Sequence, residues 1–101
     1  MIVYEVNLRV EAAIADEFRA WLEAHVMQML ALPGFVSAER FRVESGADEP
    51  IEFCVQYRLH DALALDAYLS EHAPYMRAEG LSRFGSRFTA ARRVMRPFAS
   101  A

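Results

Sequence analysis

The chain has 101 residues, a usual length for one domain and too short for two. Hydrophobic residues make up 54% of it, above the roughly 45–50% of ordinary globular domains. A monomer of this size buries only about two thirds of the surface that its unfolded chain exposes. We therefore expect self-association to cover part of the apolar excess.

Several classes of protein are excluded by the sequence. The single cysteine, Cys54, rules out an intrachain disulfide. The first ten residues alternate in polarity and lack the basic and apolar regions of a signal peptide. No apolar run approaches the ~20 residues that a membrane span needs. We expect a cytoplasmic protein that has no membrane partner.

The formal net charge is −3, and it is unevenly distributed. Residues 1–74 contain five Arg and thirteen acidic residues, whereas residues 75–101 contain six Arg and one acidic residue, Glu79. A basic segment of this kind can bind nucleic acid. Since the overall charge is negative and only Arg92 and Arg93 are adjacent, we instead expect these arginines to pair with acids elsewhere in the fold or in a partner subunit, and we expect no nucleic acid.

Residues 2–10 alternate with a period of two and predict a half-buried strand. Residues 13–31 change to helical spacing, with a broad apolar stripe made of Ile14, Phe18, Trp21, Leu22, Val26, Met29 and Leu30. Pro33 and Gly34 end this helix. Residues 35–43 and 51–59 predict two more strands, which form an antiparallel hairpin around the polar turn at 44–50.

In the second half, Asp61 is expected to cap a helix over 61–73. Its inner stripe is predicted to contain Leu65, Tyr68, Leu69 and His72. Pro74 interrupts this helix and starts a shorter one over 75–83, in which Glu79 and Arg83 are spaced as an i,i+4 ion pair. Residues 87–95 form the last strand. The order β-α-β-β-α-β predicts an α+β, ferredoxin-like fold: a four-stranded antiparallel sheet with both helices on one face.

The other face of this sheet is mixed in character. It carries Val3, Glu5, Asn7 and Arg9 from the first strand, and Cys54 and Gln56 from the third. In a two-layer fold it faces water. If two sheets pack face to face, it lines a semi-polar space that can hold a small ligand. Asn7, Cys54 and Gln56 are therefore the candidate ligand-lining residues.

The segment EHAPYMRAEGLSRFG at 71–85 contains a second group of candidates, His72, Tyr75 and Arg83. They could lie at the mouth of a pocket, where His72 would act as an acid or base. The structural alternative is that His72 caps a helix end and the other two pack and pair around it. We favour the structural alternative. His25, His60 and His72 have no ligand spacing, so neither a metal nor a cofactor is expected, and Cys54 is interpreted as a small buried side chain rather than a nucleophile.

Several stretches carry a resemblance to a known family: MIVYEVNLRV at the start, WLEAHV in the first helix, LPGF at 32–35, VQY at 55–57 and EHAPYMRAEGLSRFGSRFTAARRVM at 71–95. The chain resembles the bacterial family called domain of unknown function 4286, within the dimeric α+β barrel superfamily. The resemblance implies the fold and a homodimer, and it implies no activity. The wider superfamily includes cofactor-free monooxygenases, isomerases and haem enzymes.

Residue roles from those enzymes are not transferred. Asn7 and Trp21 are residue types that line the monooxygenase barrels, but no motif aligns them with catalytic positions. His25 lies near the end of the first helix, and the role of axial haem ligand is not transferred to it. Three functional hypotheses remain open: a homodimer that binds a small ligand between its sheets, a cofactor-independent monooxygenase-like or isomerase-like enzyme for small aromatic or enol compounds, and a structural or regulatory interaction module.

Overall fold

The computed structural model describes residues 1–44, 46 and 50–99. Its four strands are β1 (Ile2–Val10), β2 (Phe35–Val43), β3 (Ile51–Leu59) and β4 (Phe88–Met95). Its three α-helices are α1 (Ala15–Leu30), α2 (Ala62–Glu71) and α3 (Ala73–Phe84), and short 3-10 turns precede α1 and follow α3. The strands form one sheet in the order β2-β3-β1-β4, and each neighbouring pair is antiparallel. The predicted ferredoxin-like fold is confirmed.

Strand boundaries agree closely with the sequence prediction. β1, β2 and β3 have the predicted limits, and β4 begins one residue later than expected. The helices differ more, because α1 begins at Ala15 after a 3-10 turn, and α3 is longer than predicted at both ends. The polar turn predicted at 44–50 lies largely outside the described residues.

The core lies between the sheet and the helices. The inward faces of β1 and β3 are almost fully buried, and they meet the predicted stripe of α1. A side chain such as Phe18, which is completely buried, stabilises the fold by about 1.5–3 kcal/mol through the removal of its surface from water. One prediction was wrong: Leu69 is 38% exposed. It lies about 100° around α2 from the buried Tyr68, and α2 contacts the sheet only through a narrow stripe.

Two hydrogen bonds fix the start of α2 and the loop beside it. The carboxylate Oδ1 of Asp61 accepts a hydrogen bond from the backbone N–H of Ala64 at 2.9 Å, so the predicted N-cap is confirmed. The carbonyl of Gly34 accepts from the backbone N–H of His60 at 3.0 Å, which ties the start of β2 to the end of β3. Gly34 has a φ of 86°, a backbone angle that residues other than glycine rarely adopt.

Pro74 lies in the first turn of α3, as predicted, where its missing N–H costs no helical hydrogen bond. The backbone N–H of Met76 donates to the carbonyl of His72 at 2.9 Å, and this bond starts the new helix. The His72 side chain makes no capping hydrogen bond at this N-terminus. The change of direction between α2 and α3 is therefore made by the backbone.

Gly34 and Gly85 both have positive φ, and they differ in how closely other atoms approach them. A Cβ on Gly34 would lie 2.5 Å from the Cβ of Ala64, whereas a Cβ on Gly85, which also has positive φ, would meet nothing within 4 Å. Both Gly→Ala variants should lose stability through strain, and Gly34→Ala should lose about 1–3 kcal/mol more because of the overlap. Urea unfolding of the two variants measures this difference. Equal losses would contradict the close approach of α2.

Candidate functional site

One face of the sheet carries no helix, and we call it the open face. Its side chains alternate with those of the core along all four strands. The open face comprises Ser37, Glu39, Phe41 and Val43 of β2, Glu52, Cys54, Gln56 and Arg58 of β3, Val3, Glu5, Asn7 and Arg9 of β1, and Thr89, Ala91, Arg93 and Met95 of β4. The six residues predicted for this face from β1 and β3 all lie on it.

A polar cluster occupies the centre of the open face. The strand register places Glu5 beside Gln56 on one side and Arg93 on the other. Arg93 donates from Nε to Oε1 of Glu5 at 2.9 Å and from its Nη2 to Oε2 at 3.2 Å. Asn7 donates to Oε1 at 2.7 Å, and Gln56 donates to Oε2 at 3.1 Å. Both carboxylate oxygens are therefore fully engaged, and we call these four residues the Glu5 cluster.

Glu5 is buried on a surface that would otherwise face water, with only 3% of it exposed. The hydrogen bond from Arg93, followed by that from Asn7, lowers the pKa of Glu5, although burial acts in the opposite direction. The ionised form is thus favoured by its bonds more than it is disfavoured by loss of water. A paired carboxylate whose pKa is lowered in this way is a poor general acid or base near neutral pH.

Cys54 lies next to this cluster, opposite Asn7 on β1 and Phe41 on β2. It is a buried free thiol. Burial, followed by the negative charge of Glu5, raises the pKa of Cys54. The thiol is therefore protonated at neutral pH, a state that does not favour nucleophilic attack.

The structure brings Asn7, Cys54 and Gln56 together, but it uses the two amides in a way that sequence reasoning did not foresee. Both amides donate to Glu5. Each keeps a second N–H and a carbonyl oxygen with which it could meet a ligand or a partner. Their role as ligand-lining residues stays a prediction.

The second group of candidates does not form a cluster. His72 is half-buried between α2 and α3, while Tyr75 is 82% exposed. Tyr75 lines an open groove of about 540 Å³ between α1 and α3, together with Gln28 and Leu32. Arg83 is eight residues further along α3, roughly 12 Å along the helix axis, and its guanidinium lies 5.5 Å from the centre of the Phe84 ring.

The predicted Glu79–Arg83 ion pair is wrong. Glu79 accepts a hydrogen bond from Nε1 of Trp21 at 2.8 Å, and Arg83 donates to Glu17 at 3.4 Å. Both side chains contact α1 rather than each other, because α3 packs against α1 and offers these longer-range partners. A buried indole N–H without an acceptor would cost more than an exposed i,i+4 pair contributes.

A small cavity of about 50 Å³ lies between the sheet and the helices. Aromatic side chains surround it: the ring of Tyr4 is 6.2 Å from that of Tyr57 and 5.7 Å from that of Tyr68, and His25 stacks on Trp21 at 4.7 Å. Burial raises the pKa of Tyr68 to about 12. Burial also lowers the pKa of His25. Both groups therefore favour their neutral forms at pH 7.

Two arginines, Arg77 of α3 and Arg92 of β4, also line this cavity. Arg77 donates from its Nη2 to the hydroxyl of Tyr4 at 3.0 Å. The Nε of Arg77 is buried and has no hydrogen-bond partner among the described residues. On their outer side, the same two arginines line an open groove of about 340 Å³ between α3 and β4, which we call the α3–β4 groove.

Sequence reasoning missed this second site, although one signal was present. Ala73, Met76, Gly80 and Phe84 form the buried stripe of α3. Arg77 is four residues after Ala73 and three before Gly80, so it lies on that stripe. A charged residue at an inward position of an amphipathic helix commonly has a specific partner, and this could have singled it out.

Among the described residues, no three His, Cys, Asp or Glu side chains are arranged to hold a metal ion. Within the same residues, no helix combines the length and the apolar character that crossing a membrane requires.

The sheet order, the helices on one face and the open second face define a ferredoxin-like α+β domain. Over residues 1–98 the chain matches the family described as "Domain of unknown function (DUF4286)", and it belongs to that family. Comparison with curated proteins gave no match.

Solved structures share this fold at low sequence identity. SnoaB, described as a cofactor-independent oxygenase from Streptomyces nogalater, is 17% identical with a TM-score of 0.72, over 98% of this chain and 94% of its own. A structure described as an antibiotic biosynthesis monooxygenase is 12% identical with a TM-score of 0.72, over 98% and 100%. Rv0793 from Mycobacterium tuberculosis is 25% identical with a TM-score of 0.66, over 100% and 99%.

The lowered pKa of Glu5 predicts a specific pH dependence of stability. Because the folded protein holds this carboxylate ionised more strongly than the unfolded chain does, the stabilisation is present above the ordinary pKa of 4.5 and is lost as the pH falls below it. The free energy of unfolding should therefore fall more steeply between about pH 5 and pH 3 in the wild type than in Glu5→Gln. Urea unfolding across this range measures both slopes, and equal slopes would contradict the assignment.

Proposed function

We propose that this protein is a cytoplasmic homodimer that joins through the open faces of two copies and binds a small organic molecule. The observation that carries the dimer is the Glu5 cluster, in which a buried carboxylate accepts four hydrogen bonds on a sheet face that no described helix covers. If this face stayed exposed to water, its ion pair would add little to the stability of the fold, since exposed ion pairs contribute only about 0–1 kcal/mol.

The charges of the open face support the pairing of two identical surfaces. Its six charged residues form three ion pairs: Glu5 with Arg93 at 2.9 Å, Glu39 with Arg58 at 2.6 Å and Glu52 with Arg9 at 3.5 Å. The face therefore has no net charge, and two copies can approach without general repulsion. Phe41, which is 43% exposed, adds an apolar contact group at its edge.

The size of the open face is compatible with this assembly. Four strands of about nine residues span about 30 Å by 19 Å. The face therefore offers a flat area of roughly 550 Å² per copy, without the extra accessible surface of its protruding side chains. This area is near the lower end of specific interfaces. The apolar excess of the composition, 54% hydrophobic residues, supports the same proposal.

The small-molecule part of the proposal is supported by the aromatic cavity and the arginine-lined groove beside it. A ligand between the sheets, in contact with Asn7, Cys54 and Gln56, remains an open prediction. Native mass spectrometry of protein purified without denaturant tests both parts. A dimer with additional mass supports the proposal, a dimer without it favours the structural or regulatory alternative, and a monomer at micromolar concentration overturns the assembly.

A cofactor-independent enzyme is the second candidate, and the lining of Trp21, His25 and three tyrosines favours it. The cavity alone is too small for an aromatic substrate, because about 150 Å³ is needed to hold benzene and this cavity has about 50 Å³. A substrate would have to use the α3–β4 groove as well. Oxygen uptake with small quinols measures this activity, and its absence leaves binding as the function.

Phe41→Glu should separate the dimer into monomers without unfolding the domain. Phe41 lies on the open face outside the buried core, so a charge there disfavours only the apposed state. Leu63→Glu is the matched control, because Leu63 is strongly exposed on α2, away from the open face. Sedimentation velocity at micromolar concentration measures both variants. A dimeric Phe41→Glu protein, or equal dissociation of both variants, would contradict the proposed interface.

A further inference from the structure

We infer that Arg77 and Arg92 form an anion-binding site in each protomer, which takes the carboxylate of a small, flat organic acid lying in the α3–β4 groove. This inference rests on the proposal that the protein binds a small molecule, and it names the site and the chemical class of the ligand.

The first step of the argument is the charge of Arg77. Its guanidinium bonds to the neutral hydroxyl of Tyr4, and its buried Nε has no hydrogen-bond partner among the described residues. A buried cationic donor without a partner is costly, and arginines in such places commonly meet a carboxylate or phosphate. The carboxylate nearest in the helix sequence, Glu79, accepts the indole N–H of Trp21 instead.

The second step is the surrounding electrostatics. Arg77 and Arg92 line both the inner cavity and the α3–β4 groove, so the two guanidinium groups lie on a shared boundary. No Asp or Glu is among the described residues that line either space. Two cations in a lining that contains no acid favour an anion at this boundary, and the nearby carboxylate of Glu79 is already bonded to Trp21.

The third step is size. The inner cavity, at about 50 Å³, has room for a group of about the size of a water molecule or two. The outer groove, at about 340 Å³, falls within the range of small-ligand sites. Its walls include the apolar side chains Leu81 and Phe88. The body of the ligand therefore lies in the groove against Phe88, and its carboxylate lies between the arginines, where the planar guanidinium matches the two oxygens.

Benzoate is the probe, and benzamide, its neutral analogue of the same shape, is the matched ligand control. The chain contains one Trp and one Asn, Trp21 and Asn7. The indole N–H signal of Trp21 in a two-dimensional NMR spectrum is therefore unambiguous, and the NH2 signals of Asn7 are told from those of Gln28 and Gln56 by their loss in Asn7→Ser. Trp21 lines the inner cavity, and Asn7 lies on the open face. Benzoate should shift the Trp21 signal, and benzamide at equal ionic strength should shift it far less.

Arg77→Gln and Arg92→Gln should each weaken benzoate binding about tenfold or more, through loss of a charge-assisted contact. Arg92→Gln guards against misfolding as an explanation, because Arg92 is exposed. Arg83→Gln is the control variant, because it removes a charge from α3 and Arg83 lines neither the inner cavity nor the α3–β4 groove. The benzoate affinity of this variant should equal that of the wild type.

Two results would overturn the inference directly: equal responses to benzoate and benzamide, or no loss of benzoate affinity in either arginine variant, whether or not the dimer dissociates. A benzoate shift at Asn7 with none at Trp21 would also overturn it, while leaving a small-molecule site between the sheets. Sedimentation of the same samples reports the dimer separately from ligand binding.

Discussion

The bonds that converge on Glu5 are the constraint on which the architecture of this protein depends. Arg93 reaches this carboxylate from β4, Gln56 from β3 and Asn7 from its own strand, β1. The ionised carboxylate is covered by its neighbours, and these four hydrogen bonds replace the water that it has lost. The register that places them around Glu5 is the same register that turns the other side of β1 into the core, since a slip by one residue would exchange the two faces.

This arrangement gives the two faces of the sheet different physical roles. On the inner face, aromatic and aliphatic side chains exclude water and provide most of the stability. On the open face, paired charges and amides form a surface with no net charge, which can meet an identical surface. The proposed dimer depends on the open face. The proposed ligand site depends on an exception on the inner side of the sheet, where the cation of Arg77 lies beside aromatic side chains.

The membership of the chain in the family and its similarity to the oxygenase folds agree with this architecture, but they do not supply the chemistry. SnoaB and this chain share a fold at 17% identity, a level at which side chains around a cavity are free to differ. In this chain the cavity is small, and two arginines line its border. These features favour recognition of an anion over enclosure of a large aromatic substrate.

The sequence alone determined the strands, the order of elements and the six open-face residues named from β1 and β3, because each depends on local alternation that a single stretch of chain displays. It also determined the cap at Asp61 and the break between two helices near Pro74, which need only neighbouring residues. Only the tertiary structure decided that Glu79 bonds to Trp21, that Arg83 bonds to Glu17, and that Asn7 and Gln56 bond to Glu5. It also decided that Arg77 and Arg92 share one boundary. Each of these outcomes is a competition between partners distant in the chain, and the packing of α3 on α1 and the pairing of β4 with β1 determine which partner is within reach.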